Sequence, residues 1–244
     1  MWKLLLISML SVVAFPSFAA VTLLNHHATP IDVYGTQTTP SFNSSGASLL
    51  VVAIAYNQGC GLAFTDSLAN VWTALPPITL ANNYPIGQIW YAASPNVGSA
   101  QTITLTSPGY NCYATVFFTA WSGTSASPYD NQIGQLVDSV SSVTPGSITP
   151  AADNELLVSF LSSQNGTTTG IGVSGGISLL DAACESHAGP PTRCGAFGYA
   201  IQTTATTINP TWVQSISTGM TTTVAAFKAG TVASHIRHRV IGGE

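Results

Sequence analysis

Apolar residues in this chain come in short runs separated by turn-forming clusters. The strongest run is Ser48-Leu49-Leu50-Val51-Val52-Ala53-Ile54-Ala55-Tyr56, with Ser45-Gly46 before it and Asn57-Gln58-Gly59 after it. Nearly unbroken apolar character over so few residues predicts a strand buried on both faces. A helix of equal burial would be longer, and the flanking glycines interrupt it. A weaker copy, Glu155-Leu156-Leu157-Val158-Ser159-Phe160-Leu161, follows in the second half. Further strands are expected over 21–33, 71–75, 86–93, 102–106, 114–121 and 222–228. Between them lie Thr65-Asp66-Ser67, Pro76-Pro77, Pro95-Asn96 and Ser107-Pro108-Gly109, all turn signals. No window carries a helical period. The expectation is an all-β antiparallel sandwich of jelly-roll-like topology.

The two halves echo one another. Leu49, Leu50 and Val51 match Leu156, Leu157 and Val158 at a shift of 107. Tyr91-Ala92 matches Tyr199-Ala200, and Thr115-Val116 matches Thr223-Val224, at a shift of 108. The period is far beyond that of solenoid repeats. Two half-sandwiches that complete each other, or two small domains in tandem, would both produce it. Residues 141–150 are turn-like but run straight into the next strand, so one domain over 20–230 is expected.

Composition agrees with strands and narrows the partners. Charged residues make up only 6% of the 244, and the net charge is −4. Ser, Thr, Asn, Gln and Gly replace the missing charge. With five Lys and Arg in all, the body of the chain lacks the basic footprint of a nucleic-acid binder.

The N-terminus reads as a secretory signal over residues 1–19, with Lys3 ahead of the apolar stretch 4–15 and Ser17-Phe18-Ala19 as cleavage site. That stretch is shorter than a membrane span requires, and no later segment is apolar enough to cross one. A secreted or surface protein is expected. In an oxidising compartment four cysteines imply bridges, and four allow three pairings. Cys60 and Cys112 fall at one end of neighbouring strands, and Cys184 and Cys194 flank a short excursion. The expected pairs are Cys60–Cys112 and Cys184–Cys194. Residues 231–244, with His235, Arg237, His238 and Arg239, read as a flexible basic tail.

Catalytic signals are thin. There is no G-x-S-x-G nucleophile motif, and the histidines lie at the margins of the chain. The acids stand in turns or at strand edges: Asp66 before Ser67-Leu68 and Asp153 before Asn154 read as Asx-turns. No E-x-E or D-x-D pair marks a glycosidase cleft. No cofactor is expected; Asp66 with Asn70, or Asp130 with Asn131, are the only pairs that suggest calcium. Aromatic residues are the stronger signal. Trp72, Trp90, Tyr91, Tyr110, Tyr113, Trp121 and Trp212 could stack on sugar rings, with Trp90 and Trp121 expected in the core.

Two motifs carry a family resemblance. Asp66-Ser67-Leu68-Ala69-Asn70-Val71-Trp72, and the Trp121-Ser122-Gly123 to Pro128-Tyr129-Asp130 corner, resemble secreted bacterial and phage-associated jelly-roll, lectin-like β-sandwich modules. Those modules carry D-S-x-G-N-x-[YW] and a W/Y-S-G-P-x-D-like corner. Here the corner is broken by residues 124–127. The resemblance implies a surface or adhesion module and supplies no catalytic residue.

The leading expectation is therefore a non-enzymatic recognition module for carbohydrate or a cell-surface ligand. A structural subunit that self-associates by strand addition is the alternative, and a glycoside hydrolase the minor one. The expected binding residues are Asn57, Gln58, Tyr110 and Asn111, in two loops that the Cys60–Cys112 bridge would hold together.

Overall fold

The computed structural model describes residues 17–57, 60–78, 85–185 and 192–232. They form fourteen strands and no helix: β1 Ser17–Phe18, β2 Thr22–Thr38, β3 Leu49–Asn57, β4 Ala63–Asp66, β5 Thr73–Ala74, β6 Pro85–Ala93, β7 Ile103–Ser122, β8 Thr124–Val143, β9 Glu155–Gln164, β10 Gly172–Val173, β11 Ser178–Glu185, β12 Arg193–Gln202, β13 Trp212–Ala229 and β14 Thr231–Val232. The fold is an all-β sandwich in which every named pairing is antiparallel.

The first sheet has the order β2-β7-β3-β6-β5, with β4 also on β7. The second has β8-β13-β9-β12-β11, with β10 also on β13. Adding six to each strand number of the first sheet gives the second, so the halves share one topology. The register repeats too. Leu49 lies between Ala93 and Trp121, and Leu156 lies between Ile201 and Phe227. The shift is therefore 107 in the central strand and 108 in β12. In β13 it is 106, since Phe227 stands where Trp121 does. The Thr115–Thr223 match at 108 is thus two residues out of structural register.

The central strands explain their own sequence. Leu49, Val51, Ala53 and Ala55 of β3 face the second sheet, where they meet Leu156, Val158 and Phe160 of β9 with Phe117, Trp121, Phe197 and Phe227. Leu50, Val52, Ile54 and Tyr56 face outward, under Phe42, Phe64 and Trp72 from the same half. On β9, Leu161 and Leu157 likewise face outward into two smaller clusters. A strand with apolar partners on both faces has no polar alternation, which is why these runs are unbroken.

The sheets stack so that β2 lies across from β11, and β6 across from β9 and β13. The strand orders therefore run in opposite directions, and the halves are related by an approximate two-fold. Reciprocal aromatic contacts obey it. Tyr91 meets Phe227 edge-on at 5.4 Å, and Tyr199 meets Trp121 edge-on at 5.0 Å.

Several expectations are corrected. The segment around Ser107-Pro108-Gly109 is not a turn between two strands but lies within β7. Opposite it, β2 advances from Val33 to Gly35 while β7 runs from Cys112 back to Ser107. Residues 108–111 form a bulge that leaves the ladder. The strand expected over 71–75 shrinks to Thr73–Ala74, and the one expected over 222–228 begins at Trp212. Residues 124–143, read as a broken corner, form the long edge strand β8.

Both disulfides form as expected: Cys60–Cys112 and Cys184–Cys194. The second joins residues directly opposite on β11 and β12. Residues 1–16 of the expected leader and 233–244 of the expected tail lie outside the described residues. Ser17–Phe18 of β1 pairs with Thr231–Val232, and Phe18 packs against the core between the sheets.

Candidate functional site

Of the expected binding set, only Asn57 has a described side chain. Asn57 ends β3, and its amide oxygen accepts the backbone N–H of Tyr113 at 3.0 Å. Its role there is to hold β7. Gln58 lies outside the described residues, as do the side chains of Tyr110 and Asn111.

Asp66 has a different task from any ligand chemistry. Its carboxylate is buried and accepts five hydrogen bonds: from Leu68 N, Asn70 N, Asn70 Nδ2, Trp72 Nε1 and Gln101 Nε2, at 2.6–3.2 Å. The Asx-turn expected here is present in the bond to Leu68. A carboxylate so satisfied has no lone pair left for a calcium ion. The D-S-x-G-N-x-[YW] pattern thus has a structural explanation: Asp66 gathers the loop and fixes the tryptophan. Trp72 in turn packs on Phe64 and Phe118. Ala69 occupies the pattern's glycine position with φ of +55°, a conformation that favours glycine. Asp153 behaves differently from the expected Asx-turn, accepting Ala205 N at 2.7 Å across the β12–β13 connection. Among the described residues no three His, Cys, Asp or Glu side chains cluster as metal ligands would.

An open cleft of about 390 Å³ lies at the seam between the halves. The first half contributes Thr73 from β5, with Tyr91 and Ala93 from β6. The second contributes residues 126–129 of β8. Strand alternation turns Tyr91 toward the seam, where it rests on Phe227. Tyr129 is paired with Phe227 in the ladder and reaches the same place from the edge strand. The two tyrosine rings are nearly parallel and stacked, their planes 12° apart and their centroids 6.0 Å apart. Tyr129 also meets Phe227 edge-on at 6.4 Å. One apolar ring thus supports a platform of two phenols, with the hydroxyls of Thr73 and Ser127 beside it.

Burial, then Tyr91, then the charge of Asp130 hold the Tyr129 phenol above its ordinary pKa. It therefore stays protonated and can both donate and accept at neutral pH. No charged side chain lines the cleft. Acids do stand behind it. Asp130 follows Tyr129 on β8, so its side chain points to the other face of the strand. There it accepts Ala151 N at 2.9 Å and pairs with Lys228 at 3.4 Å. Glu155, fully buried, accepts Ala152 N at 3.0 Å. Burial, reinforced by the Asp130 charge, pushes Glu155 up to about 7.

The aromatic inventory divides accordingly. Trp121 and Trp212 are fully buried, each with its indole N–H on a hydroxyl, Thr119 and Ser159 respectively. Trp90 and Trp72 are half-buried against the outer core of the first sheet. Tyr91 was among the candidate aromatics; Tyr129 appears in the sequence only within the Pro128-Tyr129-Asp130 corner. Its signal was the combination of an exposed aromatic and an edge strand, and that strand was not recognisable beforehand.

No protein-family model matches the chain, and neither curated proteins nor solved structures match it.

Proposed function

We propose that this protein is a non-enzymatic recognition module that takes a neutral carbohydrate on the Tyr91–Tyr129 platform. The observation that carries this reading is the pair of near-parallel phenols at an open, uncharged, hydroxyl-bearing seam. A pyranose ring offers an apolar C–H face to such a surface and hydroxyls to its rim. Tyrosine suits the task because it supplies rigid area with a polar tip. The absence of charge from the lining favours binding over hydrolysis, since hydrolysis needs two facing carboxyl groups. Asp130 and Glu155 are a carboxyl pair, yet they point away from the cleft and hold backbone N–H groups.

Two disulfides are compatible with an extracellular location, and no helix among the described residues is long and apolar enough to cross a membrane. Secretion and an adhesive role at a cell surface accord with the leader-like N-terminus and the lectin-like motifs. The test is a glycan array probed with the purified chain. Signal from neutral glycans that free sugar competes away supports the reading. A blank array sinks it.

One observation favours the second reading, self-association by strand addition. β2 and β8, the long edge strands, contain no Lys or Arg, and their guards against pairing are confined to a proline each, one or two Asp and local bulges. Sedimentation velocity across a concentration series would detect such assembly.

A further inference from the structure

The approximate two-fold places an internal control inside the molecule: each part of the cleft has a counterpart at the opposite seam. Tyr91 on Phe227 corresponds to Tyr199 on Trp121, with nearly identical ring geometry. The supports of the platform are therefore common to both halves and belong to the fold. The third ring is not. Tyr129 pairs with Phe227 in the ladder, and the residue paired with Trp121 is Leu23. Leu23 packs against the core between the sheets.

A second difference surrounds the same spot. Asp130 follows Tyr129, Lys228 follows Phe227 and Glu155 precedes Leu156. Their counterparts are Leu24, Ser122 and Ser48. At the opposite seam hydroxyls fill this place, Ser48 Oγ of the first half lying 2.8 Å from Thr124 Oγ1 at the start of β8. The second half fills it with an ionic cluster that includes a fully buried glutamic acid. Folding this topology needs neither the third ring nor the charges, because the first half has neither. Both additions converge where β8 slips against β13 between Ala225 and Phe227. There Asp130 ties the edge strand to Lys228 and to the turn at Ala151. An edge strand so anchored presents Tyr129 already ordered, which lowers the ordering cost of binding.

We infer that the duplicated fold carries one ligand platform rather than two, and that Tyr129 is the residue that makes it. The inference rests on the carbohydrate reading above and adds the stoichiometry and the decisive side chain. The opposite seam, with Leu23 in place of a ring, takes no sugar.

The experiment is isothermal titration calorimetry of the full chain with the neutral glycan that gives the strongest array signal. The wild-type chain binds one glycan per molecule. Tyr129→Leu, which copies the opposite seam, weakens binding at least tenfold. Tyr129→Phe keeps the ring and stays within about threefold of wild type. Two glycans per wild-type chain would overturn the inference without any mutant being needed. So would Tyr129→Leu binding as well as wild type. Both of those outcomes leave the carbohydrate reading standing, whereas a blank array removes that reading itself.

Discussion

Glu155 makes the stability of this protein depend on pH in a direction opposite to that of an ordinary paired carboxylate. Its folded-state pKa is pushed from 4.5 to about 7, chiefly by burial and then by Asp130. Below about pH 4.5 the group is protonated in both folded and unfolded chains and contributes no pH dependence. Between 4.5 and 7 the folded state holds the proton more tightly than the unfolded one, so stability falls as pH rises. Above 7 the full penalty is present. At roughly 1.4 kcal/mol per pKa unit, the penalty amounts to about 3 kcal/mol. In a chain of this size that corresponds to a melting temperature lower by roughly 6–12 °C at pH 8 than at pH 5. Glu155→Gln keeps the shape and an acceptor for Ala152 N, and removes the titration. Differential scanning calorimetry at pH 5, 6, 7 and 8 on both proteins reads the effect. The wild type loses stability over this range, and the variant loses less by the amount due to Glu155. Equal slopes for the two proteins would refute the reasoning. The comparison subtracts every other group that titrates in the window.

Three further perturbations test the scaffold. Asp66→Ala strands five donors, including the Trp72 indole N–H, and is expected to cost about 2–4 kcal/mol in urea unfolding. Ala69→Gly relieves a φ of +55° and is expected to stabilise by about 0.5–1 kcal/mol, measured the same way. Gly195→Ala places a Cβ 2.6 Å from the Phe117 ring and 3.3 Å from Ala55 between the sheets; the overpacking should cost about 1–3 kcal/mol and lower the thermal midpoint.

What was legible in the sequence follows from what each segment touches. β3 and β9 meet apolar neighbours on both faces, so their residues form unbroken runs that can be read without knowing the partners. The bridges were legible because strand ends and a short excursion bring their cysteines close. β8 was not legible, since most of its positions are exposed or half-buried and an edge strand over polar residues looks like loop. The 108–111 bulge misled for the opposite reason: Pro108 and Gly109 signal a turn, yet the chain leaves the ladder and returns to the same strand. The start of β13 was missed because Gln214 to Gly219 carries little apolar alternation. The cleft itself lies beyond any local pattern. Tyr91 and Tyr129 belong to different halves and meet only because the two sheets stack with opposite strand orders.

Both disulfides close loops within a half: Cys60–Cys112 in the first, Cys184–Cys194 in the second. No covalent bond crosses the seam except the backbone itself at Ser122-Gly123-Thr124. The halves are therefore covalently fastened internally, while packing and hydrogen bonds such as Thr115 Oγ1 to Arg193 O and Ser162 Oγ to Ile86 O join them across the wall between them. The wall could open without breaking either bridge. The first half of one molecule could then close on the second half of another, giving an exchanged dimer with the same contacts. Gly123 sits at the pivot with φ of +76°, and a side chain there would collide with the carbonyl of Ala20. A sugar resting on Tyr91 and Tyr129, as proposed above, would span the wall and act as a clasp across it.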